Sequence, residues 1–147
     1  MEKRLSFKIA PNFESVDMVR KALMEFCRDA YRGAEAESTT GDLCLAATEA
    51  MNNAVEHSGA EKVEIEISAG EAKVVFCIIT EGKKFDPTDG VSMPVLGEGK
   101  ELQEGGFGLA IIKEMVDSVR YEYVNGRNVM MLDKVIIGKK GEGDYGI

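Results

Sequence analysis

Five short segments have the hydrophobic pattern of β-strands. They are residues 5–10, 63–67, 73–80, 119–124 and 129–137. Most of them alternate apolar and polar side chains, which predicts strands with one buried face. Residues 73–80 are almost continuously apolar, which predicts a strand at the centre of a sheet. Asn125-Gly126 separates the last two segments and is typical of a tight hairpin turn.

Three other segments have apolar residues at helical spacing. They are residues 13–31, 40–57 and 108–116. Gly33 follows the first predicted helix, and Ser58-Gly59 ends the second. Residues 35–40 are predicted to be a polar connector, with Thr39 or Thr40 as the N-cap of the second helix.

The order of these elements predicts one α+β domain over residues 1–147. It would be a two-layer α/β sandwich, with helices on one face of a mixed, mainly antiparallel sheet. Residues 81–106 are rich in Gly and Pro, so we expect them to be either disordered or a functional lid. Residues 138–147 are Gly-rich and charged, which predicts a frayed, flexible tail.

The composition is that of a soluble protein with one domain. The chain has 147 residues, of which 44% are hydrophobic and 30% charged, and no apolar run could cross a membrane. Residues 1–5 lack the apolar core of a signal peptide, so we expect a cytoplasmic location. The net charge of −8 argues against direct binding to nucleic acid. It also means that a polyphosphate site would need a metal ion, helix N-termini or backbone amides.

The three cysteines, Cys27, Cys44 and Cys77, are widely spaced and have apolar neighbours. Buried free thiols in a reducing compartment are therefore the expected state. The sequence contains no Cys-X-X-Cys pair or Cys/His cluster that would indicate zinc.

A stripe in the second predicted helix combines three chemical groups. Glu49, Asn53 and His57 recur every four residues, so they lie along one helix face about one turn apart. A carboxylate can act as a base, an amide oxygen can bind Mg²⁺, and an imidazole can donate a hydrogen bond or act as a base. An exposed polar helix face is the alternative explanation.

Two glycine motifs follow the stripe. Residues 104–109, Glu-Gly-Gly-Phe-Gly-Leu, precede the third predicted helix, where backbone N–H groups and the helix dipole favour phosphates. Gly82 and Phe85-Asp86-Pro87 lie at the exit of the central strand. Each motif alone is equally explained by a hinge or a turn. The stripe and both motifs, in this order, indicate a nucleotide site.

Together these motifs resemble those of the GHKL ATPase superfamily, which includes gyrase, Hsp90, histidine kinases and MutL. Residues 49–57 resemble its N box, Gly82 with residues 85–87 the end of its first glycine box, and residues 104–112 its second. The resemblance covers residues 7–137 and is strongest to anti-sigma-factor serine/threonine kinases of the RsbW and SpoIIAB type. It implies the Bergerat ATP-binding fold, with ATP and Mg²⁺ as cofactors.

The resemblance implies a role for each site residue. Glu49 corresponds to the general base that takes the proton of the attacking hydroxyl, and Asn53 to the Mg²⁺ ligand. Residues 87–104 correspond to the ATP lid. His57 lies where the family often has His, either in the site or one hydrogen bond away from it. The other implied nucleotide-binding residues are Thr80, Gly82, Phe85, Gly105, Gly106, Phe107, Gly108, Leu109 and Asn128.

Thr80 departs from the family pattern. The first glycine box normally begins with Asp, which accepts a hydrogen bond from the adenine amino group and is often supported by a Thr on the last strand. Here these places hold Thr80 and Arg127-Asn128. A charge-assisted hydrogen bond is roughly twice as strong as a neutral one. This change has three possible consequences. ATP binds more weakly or through a water, the base preference is altered, or kinase activity is lost. The phosphate-side motifs favour retained nucleotide binding.

The resemblance implies a cytoplasmic serine/threonine protein kinase that acts as an anti-sigma factor. Such a protein phosphorylates a STAS-domain anti-anti-sigma protein, sequesters a sigma factor and forms a homodimer. The alternative is a catalytically weak or inactive GHKL-fold regulator that works by protein–protein binding only. Histidine autophosphorylation is not expected, because the only histidine, His57, lies in the helix stripe.

Overall fold

A five-stranded sheet and three helices dominate the part of the chain described by the computed structural model, residues 2–86, 104–136 and 139–140. The elements in chain order are β1 (Lys3–Ile9), α1 (Phe13–Ala30), β2 (Tyr31–Arg32), α2 (Ala34–His57), β3 (Val63–Ala69), β4 (Lys73–Glu81), α3 (Glu104–Met115), β5 (Ser118–Val124), β6 (Arg127–Val135) and β7 (Lys139–Lys140).

Strand β4 lies at the centre of the sheet, as its continuous apolar sequence predicts. The strand order is β1-β3-β4-β6-β5, and every neighbouring pair is antiparallel. The predicted α+β sandwich is confirmed, but these five strands form a purely antiparallel sheet instead of a mixed one. Short turns join β3 to β4 and β5 to β6, and such turns can only connect antiparallel strands.

The turn between β5 and β6 confirms the hairpin that Asn125-Gly126 predicts. Asn125 and Gly126 have φ angles of 55° and 75°. Two consecutive left-handed residues are characteristic of a type I′ turn, whose twist matches that of the flanking strands.

Helix α2 begins at Ala34, so the predicted connector over residues 35–40 is wrong. Gly33 precedes the helix with a φ of 109°, a conformation that favours glycine, and the break in the chain therefore falls here. Two glutamates then occupy the first turn, where the helix dipole stabilises negative charge.

Thr39 and Thr40 are interior residues of α2 and not its N-cap. The Thr39 hydroxyl donates to the backbone oxygens of Glu35 and Ala36, at 3.1 Å each. Both threonines are buried. The sequence obscured this first part of the helix because its buried positions carry Ala and Thr instead of larger apolar residues.

Helix α3 begins at Glu104, four residues before the predicted start. Residues 105–108 therefore lie inside the helix and are not a loop before it. Glycine has the lowest helix propensity apart from proline, which explains the late prediction. Leu109, Ile112 and Val116 are buried and anchor the helix in the core.

The three helices cover one face of the sheet. Helix α2 packs between α1 and α3, and alternate strand residues on this face, such as Ile65, Phe76 and Leu132, are fully buried. None of the helices in the described ranges is long and apolar enough to span a membrane. The predicted lid lies outside the described residues except for Glu104. In the predicted tail, Lys139–Lys140 pairs with Tyr31–Arg32, and residues 141–147 lie outside the described part.

Candidate functional site

Helix α2 carries the predicted stripe and also forms one wall of a small cavity. Ala50 and Ala54, which directly follow Glu49 and Asn53 in sequence, line this cavity. Glu49 and Asn53 are half-buried and are not among the lining residues. The carboxylate and the amide are therefore carried by the same helix as the cavity wall.

The cavity lies between α2 and strands β4, β5 and β6. Its volume is about 20 Å³, enough for about one water molecule. Three of the predicted nucleotide-binding residues, Thr80, Phe85 and Asn128, meet in its wall. The complete lining is Ala50, Ala54, Ile78, Thr80, Phe85, Tyr121, Asn128 and Met130.

Asn128 ties the segment after β4 to the β5–β6 hairpin. Asn128 is only 4% exposed. Its Oδ1 accepts hydrogen bonds from the Phe85 N–H at 2.6 Å and from the Tyr121 hydroxyl at 2.5 Å. Its Nδ2 donates to the Lys83 backbone oxygen at 2.9 Å. One amide thus satisfies two backbone groups and one phenol.

Gly82 provides a second attachment between the same segments. Its N–H donates to the Gly126 backbone oxygen at 3.0 Å, and its own oxygen accepts from the Tyr123 hydroxyl at 2.7 Å. Its φ of 140° favours glycine. We call these hydrogen bonds of Tyr123, Gly126 and Asn128 to residues 82–85 the hairpin clamp. The clamp fixes the path of the chain as it leaves the central strand.

Thr80 faces the cavity and is 4% exposed. It lies opposite Asn128 in the register of β4 and β6. The hydrogen bonds found among the described residues do not involve the Thr80 hydroxyl, and those of the Asn128 amide go to Phe85, Tyr121 and Lys83. Asn128 therefore does not support Thr80 in the way that the family's Thr supports its Asp.

The second glycine motif lies at the N-terminus of α3. Glu104, Gly105 and Gly106 open the helix, where backbone N–H groups have no acceptor within the helix and the dipole favours anions. The predicted contribution of the Gly108 N–H is not supported, because this group lies one turn after Glu104 and donates to its carbonyl within the helix. Leu109, at 3% exposure, packs into the core. Because α3 packs against α2, this anion-binding end and the Glu49–Asn53 stripe lie on adjacent helices.

The sequence profile of the histidine kinase-like ATPase domain matches residues 9–134 of the chain. The chain belongs to this family. The predicted resemblance to GHKL ATPases is thereby confirmed for most of the sequence.

A named relative is consistent with this assignment, and two solved structures share the fold. The chain is 28% identical over 94 residues to the serine/threonine-protein kinase BtrW of Bordetella bronchiseptica, covering 61% of this chain and 66% of that protein, just under two thirds. Its fold resembles a structure of the RsbU and RsbW domains of Rv1364c from Mycobacterium tuberculosis, with a TM-score of 0.60 and 19% identity, over 99% of this chain and 35% of that one. The histidine kinase AdeS of Acinetobacter baumannii matches with a TM-score of 0.51 and 13% identity, over 91% of this chain and 68% of that one.

His57 is the most exposed of the three stripe residues in this histidine kinase-like ATPase domain. Its side chain is 51% exposed, and Nε2 lies 3.5 Å from the Glu56 Oε1. This contact is to a neighbour in sequence and lies outside the cavity. Its role in the site stays a prediction.

Two residues of this ATPase domain's cavity region, Tyr121 and Tyr123, were missed by the sequence reasoning. Burial and the charge of Asp86 raise the pKa of Tyr121, and the backbone N–H of Phe85 opposes them. The Tyr121 phenol is thus protonated at neutral pH and can donate to Asn128. The alternation of β5, which places both tyrosines on one face, is the signal that could have revealed them.

Proposed function

We propose that this chain is an ATP-dependent serine/threonine protein kinase. The observation that carries the proposal is the arrangement of α2, which holds Glu49 and Asn53 half-buried and also contributes to the wall of a cavity that contains Thr80, Phe85 and Asn128. The similarity to a protein named as a serine/threonine kinase supports it. Membership of an ATPase domain family supports ATP as the phosphoryl donor.

The proposed reaction is an in-line transfer of the γ-phosphoryl group. The hydroxyl oxygen of the acceptor Ser or Thr bonds to the γ-phosphorus, the bond to the bridging oxygen of ADP breaks, and Glu49 accepts the hydroxyl proton. The backbone N–H groups of residues 104–106 would hold the phosphates from the N-terminus of α3. The adenine would lie toward Thr80, with the clamp positioning Gly82 and Phe85.

The oxygen donors present fit Mg²⁺, which neutralises phosphate charge when it is bound. This ion usually keeps several waters and takes only one or two protein ligands in addition to phosphate oxygens. Asn53 offers such a single neutral oxygen. The described residues contain no group of three or more His, Cys, Asp or Glu that could hold a metal, so the nucleotide would complete the coordination.

Replacing the proposed base tests the kinase assignment. Glu49→Gln should lower transfer from radiolabelled ATP to a candidate STAS-domain protein by about 100-fold or more, because general-base catalysis is worth that much. Nucleotide binding, measured by calorimetry, should stay unchanged. Glu37→Gln, in the exposed first turn of the same helix, is the matched control. If Glu49→Gln transfers phosphate at the wild-type rate, Glu49 is not the base; if the wild type transfers none, the kinase proposal fails.

We further propose that the acceptor is a STAS-domain anti-anti-sigma protein and that its unphosphorylated form releases a sigma factor from this chain. The fold similarity to a structure containing an RsbW domain is compatible with this role in the cytoplasm. The chain should co-purify with its sigma factor in the presence of ATP. Addition of the unphosphorylated STAS protein should release that sigma factor, and the phosphorylated form should not.

A second candidate function is a regulator that binds partners without transferring phosphate. Two observations favour it: Thr80 replaces the usual Asp, and the cavity of about 20 Å³ could admit a base only if lining side chains moved. Titration with Mg-ATP and Mg-ADP separates the candidates. Heat or a shift in melting temperature at millimolar nucleotide supports the kinase, and their absence together with sigma binding supports the regulator.

A further inference from the structure

The wall of the cavity between α2 and strands β4, β5 and β6 is partly polar but carries no charge. Its described lining combines apolar side chains with the Thr80 hydroxyl, the Tyr121 phenol and the Asn128 amide. Asp86 acts electrostatically on Tyr121 but is not among the lining residues. A molecule that enters this space is therefore recognised by neutral hydrogen-bonding groups.

Thr80 is the residue in this wall whose side chain can still both donate and accept a hydrogen bond. The Asn128 oxygen already accepts from Phe85 and Tyr121, so this amide can only donate further. The Tyr121 hydroxyl gives its proton to that bond, so it can only accept. Within the described ranges the Thr80 hydroxyl takes part in no hydrogen bond, although Thr80 is 4% exposed. Because buried polar groups almost always have a partner, a ligand or a water is the expected partner of this hydroxyl.

The central strand holds Thr80 in place. Its register partners are Val63 on β3 and Asn128 on β6, so Thr80 has a neighbouring strand on both sides. The cavity of about 20 Å³ has to widen before it can admit a base. Phe85 and Tyr121 are the half-buried members of its described lining, and side-chain rearrangements are common on binding. Thr80 is then the fixed polar group against which the base is placed.

A hydroxyl and a carboxylate recognise position 6 of a purine differently. A hydroxyl has one proton to donate and two lone pairs, and it rotates to suit its partner, whereas an ionised carboxylate only accepts. Adenine has an amino group at C6, which donates, and guanine and hypoxanthine have an oxygen there, which accepts. A carboxylate therefore selects adenine, because it would oppose the oxygen of the other two bases with a second acceptor. The Thr80 hydroxyl complements either group.

We propose that the nucleotide site of this chain binds purine nucleoside triphosphates with an oxygen at C6 about as well as ATP, because the Thr80 hydroxyl accepts from a 6-amino group and donates to a 6-oxygen. This inference rests on the kinase proposed above, in which the base lies toward Thr80. The phosphate end of the site serves all these nucleotides alike, because they differ only in the base. Relaxed base selection is thus the consequence of Thr80 that follows from an uncharged cavity wall.

Inosine triphosphate is the sharpest probe, because it differs from ATP only in the C6 group and in the proton on N1. Calorimetry on the wild-type chain should give Kd values for Mg-ATP and Mg-ITP within about tenfold of each other, since one neutral hydrogen bond replaces another. Thr80→Asp should bind Mg-ITP at least about 100-fold more weakly than Mg-ATP, because a site built for a donor rejects an analogue that leaves its polar group unpaired.

Thr80→Val, which has nearly the shape of threonine without the hydroxyl, is the matched control. It should weaken the binding of both nucleotides by a similar factor of about five, because each loses one hydrogen bond to the same group. The ratio of the two Kd values should stay that of the wild type. Melting temperatures of the nucleotide-free variants show whether each is folded. If Thr80→Asp does not fold, the wild type and Thr80→Val provide the test.

A wild type that binds Mg-ATP at least about 100-fold more tightly than Mg-ITP overturns this inference and leaves the kinase proposal intact. So does a Thr80→Val variant with the two affinities of the wild type, or a folded Thr80→Asp variant that binds both nucleotides equally. If the wild type binds neither nucleotide, the kinase proposal itself fails, and this inference fails with it.

Discussion

Asn128 satisfies more polar groups in the cavity wall than any other described side chain there. It accepts from Phe85 and Tyr121 and donates to Lys83. Because Asn128 is 4% exposed, its partners cannot readily turn to bulk water. A lost hydrogen bond in such a place costs the desolvation of every group left without a partner.

Asn128→Ala should therefore destabilise the fold by about 3 kcal/mol, since three groups lose their partner. Urea unfolding measures this change. Asn52→Ala is the matched control, because Asn52 is half-buried on α2 without a hydrogen bond to another described residue; its effect should stay within about 0.5 kcal/mol. A change of that size for Asn128→Ala would show that the clamp contributes little.

Thr80 is the residue that tests how the adenine is recognised. Thr80→Asp should increase ATP affinity about tenfold, because a charge-assisted hydrogen bond replaces a neutral one. The same change should lower the stability of the nucleotide-free chain, because the carboxylate would be buried beside apolar residues. Calorimetry and urea unfolding measure the two effects. Thr80→Asn, which adds a similar volume without charge, should give no tenfold gain. Equal ATP affinity for Thr80→Asp and the wild type would place the adenine elsewhere.

At the level of elements, α2 combines a structural and a chemical role over 24 residues. One side of it packs into the core through mostly small residues together with Leu43 and Met51, and Glu49 and Asn53 lie half-buried beside this side. Its start at Ala34 depends on Gly33, which has a positive φ. Gly41 lies inside the helix, and a methyl group added there would meet no neighbouring side chain or strand within 4 Å. The two glycines therefore have opposite requirements.

Gly41→Ala should stabilise the protein by about 0.5–1 kcal/mol, because alanine favours a helix interior. Gly33→Ala should destabilise it by about 1 kcal/mol, because its φ of 109° is unfavourable for a residue with a Cβ. Thermal unfolding of the two variants compares them directly. A destabilising Gly41→Ala would contradict a helix interior at this position.

Elements with strong local signals could be predicted from the sequence. The alternation in β3, the apolar run in β4 and the Asn125-Gly126 turn are local patterns, and each predicted the strand or turn in which it lies. The start of α2 was missed because alanines and threonines fill its buried positions. The clamp was missed for another reason: Asn128 and Phe85 are 43 residues apart, and no local pattern reports a contact over that distance.

At the scale of the whole molecule, the raised pKa values of the three cysteine thiols reflect their burial away from water. Burial raises the pKa of Cys27 to about 12 and that of Cys44 and of Cys77 to about 11. In the unfolded chain a thiol ionises near its reference pKa of about 8.5. Below that pH both states are protonated, and the contribution of the thiols to stability is fully present.

Stability should therefore fall as the pH rises from about 9 toward 11, because the unfolded state then loses thiol protons before the folded state does. Urea midpoints between pH 7 and about 10.5 measure this loss. Cys27→Ala/Cys44→Ala should be less stable at pH 7 but should lose less stability over the same range. An identical slope for this variant and the wild type would show that other groups cause the alkaline loss.

The hairpin clamp also determines when the site can exist during synthesis. The segment 82–85 leaves the ribosome before Tyr123, Gly126 and Asn128 have been made, so it has no attachment at that stage. Contacts between distant segments form only after the intervening chain is available and its loop has closed. A nascent chain that ends before residue 128 would therefore contain both Glu49 and Asn53 but have no ordered adenine end. Nucleotide could therefore bind and stabilise the fold only after the β5–β6 hairpin has been completed.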